Sequence, residues 1–108
     1  MHIESFTSEE QSALRECVAS LRALPTYESP EFEAVFGYSK KEVEEVYAAF
    51  PGWDLYDEAA SGHDASGDVL RNAFAWLLNG KEEERRAMYA RLSFDVNRLP
   101  HLYEKLGT

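Results

Sequence analysis

Apolar residues recur at steps of three and four along most of the chain, the period of a helix with one buried face. Leu14, Cys17, Val18 and Leu21 form the first row, Phe32, Val35 and Phe36 a short second one, and Val43, Val46, Tyr47 and Phe50 a third. Over about 66–79 the apolar positions Val69, Leu70, Ala73, Phe74, Trp76, Leu77 and Leu78 cover more than one face. A helix apolar on most sides belongs at the centre of a bundle. Met88, Tyr89 and Leu92 give a fifth row on the charge-laced segment 81–92, and Leu99, Leu102, Tyr103 and Leu106 give the sixth. No run of alternating β-branched and aromatic residues marks a strand. The pattern predicts an all-α, single-domain bundle of about six short helices around the central hydrophobic helix 66–79, with no sheet.

The punctuation between rows agrees with this reading. Thr7 with Glu10 and Ser39 with Glu42 make capping boxes, and Tyr38 with Val43 occupies the hydrophobic-staple positions of the second box. Leu24-Pro25 closes the first helix, Pro51-Gly52 the third and Asn79-Gly80 the central one. Ser29 and Pro30 open the short second helix and Gly37 ends it in the left-handed conformation. Pro100 falls in the first turn of the last helix and Gly107 follows its end. One domain over 1–108 is expected, with 1–5 and 107–108 frayed. Cys17 lies on an apolar stripe with no flanking cation, which makes it a buried core thiol.

Composition adds three constraints. With 108 residues, 44% of them hydrophobic, the chain is large enough to build a core without disulfides or metal staples. A single cysteine allows no intramolecular disulfide. The N-terminus lacks the blocks of a secretory signal and the longest apolar run, AFAWLL, is far short of a membrane span, so a soluble cytoplasmic protein is expected.

Charge carries more information. The formal net charge is -9, and residues 1–68 hold fifteen acids against four bases, whereas 69–108 hold five against seven. From Glu42 to Leu70 there are eight acids and no lysine or arginine. Such a surface repels phosphates, so neither direct nucleic-acid binding nor membrane binding is expected, and a basic protein surface is the matching partner. Self-association is a second expectation, with Arg85, Arg86, Arg91 and Arg98 meeting the acidic half of a neighbouring copy.

The most acidic stretch, PGWDLYDEAASGHDASGD at 51–68, invites three chemical readings. Asp64, Ser66 and Asp68 match the first ligand positions of a calcium-binding EF-hand loop, but Val69 stands where a glycine must turn and Ala75 where a bidentate glutamate must close the cage. His63-Asp64 is similar to the pair of HD phosphohydrolases, which need further histidines; His2 and His101 lie near the chain ends. One cysteine and three scattered histidines give no zinc spacing. No metal site and no cofactor are implied, and no nucleophile has an identifiable base. Asp64 or Ser66 serves as a helix cap and Asp68 complements the helix dipole. Asp54, Asp57 and Glu58 remain unexplained by local structure. With Glu44 and Glu45 they are expected to form an acidic patch around exposed edges of Trp53 and Tyr56, the anatomy of a protein-binding site.

Two functions follow. The first is a small acidic, non-enzymatic protein-binding domain covering a basic surface of a partner. It is of the same type as bacterial immunity and antitoxin-like inhibitors, an analogy no motif carries. The alternative is a small metal-dependent enzyme or ligand-binding domain using Asp57, Glu58, His63 and Asp64.

Overall fold

The structure is a computed structural model and describes residues 3–53, 55 and 65–107. Among the described residues it contains six α-helices, three 3-10 turns and no strand. The helices are α1 (Ser8–Ala19), α2 (Glu31–Phe36), α3 (Lys40–Ala49), α4 (Ser66–Asn79), α5 (Glu82–Tyr89) and α6 (Leu99–Gly107). The fold is the all-α bundle that the hydrophobic rows predict.

Local chemistry sets the helix starts. In α1 the Glu10 N–H donates to Thr7 Oγ1 at 3.1 Å, and the Thr7 N–H donates to Glu10 Oε1 at 2.8 Å. The same reciprocal pair opens α3, from the Glu42 N–H to Ser39 Oγ at 3.1 Å and from the Ser39 N–H to Glu42 Oε1 at 3.0 Å. Each box satisfies two backbone donors that a helix start leaves unpaired. Helix α2 begins one residue later than its Ser-Pro start suggests, because Pro30 itself takes the cap position, although Ser29 Oγ still accepts from the Glu31 N–H. Ala65 holds the cap position of α4 and its side chain makes no cap bond, Ser66 is buried in the first turn, and Asp64 lies outside the described residues.

Two glycines are required by geometry. Gly37 ends α2 at φ 100°, the left-handed region, and directly beside it the Asn72 side-chain amide donates to the Phe36 carbonyl at 3.1 Å. That bond ties the end of α2 to α4. At Gly80 the backbone N–H donates to the Trp76 carbonyl at 2.9 Å, and a Cβ at this position would sit 2.5 Å from that same oxygen.

Helix α4 is the axis of the bundle. It packs against α1, α3, α5 and α6. Val69, Leu70, Ala73, Phe74 and Leu77 are fully buried along it. Its other two large apolar residues, Trp76 and Leu78, are only half-buried. Helix α2 docks through Phe32 and Phe36, whose rings stack at 5.0 Å, with Tyr27 edge-on to Phe32 at 4.9 Å. Val35, expected on the same apolar edge, points to solvent and is 57% exposed. Six residues of helix present only a narrow contact, and the two phenylalanines fill it.

Three further elements go beyond the apolar rows. A 3-10 turn at Ile3–Ser5 carries Ile3 into the core beside Phe6. Ser20–Ala23 continues α1 as a 3-10 turn in which the buried Ser20 hydroxyl donates to the Cys17 carbonyl at 2.6 Å. Val96–Arg98 leads into α6 from a cap made by Asp95, which accepts from the Asn97 N–H at 2.9 Å. Cys17 is fully buried, and desolvation raises its thiol pKa, which keeps it unreactive. No helix among the described residues is long and apolar enough to cross a membrane.

Truncation at the axis gives a direct measure of this packing. Phe74→Ala removes a ring with no solvent contact, and urea unfolding is expected to show a loss of about 3–5 kcal/mol.

Candidate functional site

Of the residues expected to form the acidic patch, Glu44, Glu45 and Trp53 are described, whereas Asp54, Tyr56, Asp57 and Glu58 lie outside the described residues. His63 and Asp64, invoked with Asp57 and Glu58 for the metal-dependent alternative, also lie outside them. Among the described residues no group of three His, Cys, Asp or Glu side chains is placed to hold a metal ion.

The structure corrects two of the three described positions. Trp53 is not an exposed anchor: it is 3% exposed, its indole N–H donates to the Val46 carbonyl at 2.7 Å, and the Phe50 ring meets it edge-on at 5.1 Å. The indole thus covers the end of α3 and belongs to the core. Glu44 is not a free surface carboxylate either. Arg22 grips it with two parallel bonds, Nε to Oε2 at 2.9 Å and Nη2 to Oε1 at 2.8 Å, and the Tyr27 hydroxyl donates to Oε2 as well. The third, Glu45, is exposed and forms no ion pair among the described residues.

The Glu44 cluster is tightly wired. The charge-assisted bonds from Arg22 are the main reason the Glu44 pKa falls to about 2, against the opposing cost of its partial burial. Burial first, and then donation to an ionised carboxylate, raise the Tyr27 hydroxyl pKa. The pair joins the turn after α1 to α3, a contact spanning 22 residues.

Around this cluster the α1–α3 face is built of cations laid on aromatic rings. The Arg22 guanidinium sits 4.2 Å from the centre of the Tyr47 ring. Arg15 sits 4.6 Å from the same ring and 5.3 Å from Phe50. Tyr47 and Phe50 are half-buried and Arg15 is exposed. Sequence reasoning placed Tyr47 and Phe50 in the core and gave Arg15 and Arg22 no role. A usable signal was present: Arg15 and Arg22 stand two turns apart on one side of α1 and its extension, and Glu44 and Tyr47 stand one turn apart on α3.

Elsewhere, the more accessible tryptophan is the half-buried Trp76. It lines a shallow groove of about 270 Å³ with Ala75, Asn79, Gly80, Lys81 and Glu84. Several bases of the C-terminal portion are engaged within the molecule, Arg98 with Glu9, Lys105 with Glu10 and Arg86 with Glu82, each at 2.8 Å. In the N-terminal half Lys40 pairs with Glu28. Among the described residues, three of the seven bases in 69–108 therefore face this chain's own acids.

Compared with known proteins, the chain matches no family model, and no curated protein or solved structure is similar to it.

Two measurements check this geometry. In a Trp76→Phe variant the remaining Trp53 should emit at short wavelength and resist acrylamide quenching, whereas the parent protein should show a quenchable component. For Glu44, whose folded pKa lies below the ordinary 4.5, the stabilisation is complete above pH 4.5 and disappears as pH falls toward 2. After discounting for a side chain that is 40% exposed, Glu44→Gln should cost about 1 kcal/mol at pH 6 and close to nothing near pH 2, read by urea unfolding at the two pH values.

Proposed function

We propose that this chain is a non-enzymatic protein-binding domain that covers a basic surface of a partner protein. The observation that supports it most is how the charges are used. Among the described residues, ion pairs engage five of the eleven bases: Arg22, Lys40, Arg86, Arg98 and Lys105 each sit on a carboxylate of the same chain. Acids outnumber bases by twenty to eleven, so pairing leaves carboxylates over. Glu31 and Glu33 on α2 and Glu45 on α3 are exposed and form no ion pair among the described residues.

A residual negative field of this kind attracts a basic surface before contact and orients it, which raises the association rate more than the final affinity. Aromatic groups at the edge of the field supply the desolvated contacts that a purely ionic encounter lacks. In the expected patch the buried Trp53 does not fill that role, which leaves it to Tyr56, outside the described residues. A nuclease, whose phosphate-binding residues this chain would occupy as an inhibitor, is one partner class this mechanism suits.

The test uses the partner recovered by cross-linking and identified by mass spectrometry. Its association rate should fall steeply between 50 and 300 mM salt, and Glu45→Lys combined with Asp54→Lys, Asp57→Lys and Glu58→Lys should slow association about tenfold or more at low salt. An unchanged rate in the reversed variant rejects the reading.

A further inference from the structure

The two guanidinium groups over the Tyr47 ring differ in what they hold. Arg22 gives Nε and Nη2 to the Glu44 carboxylate. Arg15, at a similar distance from the ring, is exposed and makes no hydrogen bond or ion pair among the described residues. A cation–π contact offsets charge but satisfies none of the five guanidinium N–H donors.

Among the described residues, the acids that might have served Arg15 are committed elsewhere or stand on another side. Glu16, its chain neighbour, accepts from the Ser93 N–H at 2.6 Å and from the Ser93 hydroxyl at 2.8 Å. Glu44 is taken by Arg22 and Tyr27. Glu45 stands two residues before Tyr47, a spacing that places it on a different side of α3. Of the four cations laid on rings, Arg22, Lys40 and Lys105 each also hold a carboxylate, whereas Arg15 has none among the described residues.

We propose that Arg15, Tyr47 and Phe50 form an anchor for a carboxylate side chain of a partner protein. The guanidinium receives that carboxylate as Arg22 receives Glu44, and the half-buried rings pack against the apolar residue beside it. Contact with two rings restrains the long arginine side chain in advance, so less freedom is lost when the ligand arrives. A carboxylate fits better than a phosphate group because the surrounding net charge repels a dianion more strongly than a monoanion. This inference goes beyond the acidic-surface reading and does not depend on it, since it uses a base on α1 and none of Asp54, Asp57 and Glu58.

The test is an NMR titration of the full chain in 0.15 M salt, where screening confines the net charge to about 8 Å. The probe is the peptide Ac-Leu-Glu-Leu-NH2, compared with Ac-Leu-Gln-Leu-NH2. The Arg15 Nε–H signal and the Tyr47 and Phe50 ring signals should move saturably with the first peptide and at least about tenfold more weakly with the second. Arg15→Gln should abolish the response without changing the melting curve, and Arg15→Lys, which keeps the charge and loses the planar fork, should restore only part of it. The proposal is overturned by an equal response to both peptides, by a response that survives Arg15→Gln, or by no saturable response. Movement of the same signals on diluting the protein alone would assign the site to a second copy of the chain and overturn the proposal as stated.

Discussion

Burial of one face of α4 is the constraint on which the other contacts depend. Val69, Leu70, Ala73, Phe74 and Leu77 meet side chains from four other helices, and each large side chain so buried contributes about 1.5–3 kcal/mol. The short elements have no stability of their own: six residues of α2 or eight of α5 cannot hold a helix in water. They persist because α4 gives their apolar edges somewhere to go, and because polar bonds fix them once they arrive. Asn72 holds the end of α2, and the Tyr89 hydroxyl donates to the Leu77 carbonyl to hold α5. Arg71 donates to the Leu55 and Leu106 carbonyls, which secures α6.

Electrostatics in this molecule work at two ranges. At short range, carboxylates of α1 fasten the C-terminal segment: Glu9 to Arg98, Glu10 to Lys105 and Glu16 to Ser93. Such exposed pairs contribute little singly, but Glu10 is only 8% exposed and serves both its own helix cap and Lys105. At long range, the acids left over after pairing set the sign of the field a partner meets. The proposed function concerns that remainder, and the proposed Arg15 anchor uses an exposed cation set within it.

Helix positions were legible wherever the sequence carries a local rule. Both capping boxes form, and α4 occupies the predicted span, because caps and apolar rows act within a turn or two of chain. Side-chain exposure on an all-round apolar helix was not legible. Nothing in the composition of α4 tells which of its large residues lies farthest from the axis: Trp76, on the apolar row, is only half-buried, whereas Trp53, expected to keep an exposed edge, is fully within the core. The Glu44–Arg22 pair escaped for a different reason. Its partners are 22 residues apart, and only the packing of α1 against α3 brings them together. Of the site, the negative balance was readable, but the arrangement of rings and guanidinium groups was not.

The bond between Glu10 and Lys105 crosses 95 residues of sequence. A chain emerging from the ribosome can make the cap of its first helix at once, yet that carboxylate has no ammonium partner until Lys105, 95 residues further on, has been added. The N-terminal corner is therefore completed only once α6 has emerged, and any product that stops before Lys105 carries a shielded glutamate without that counter-ion.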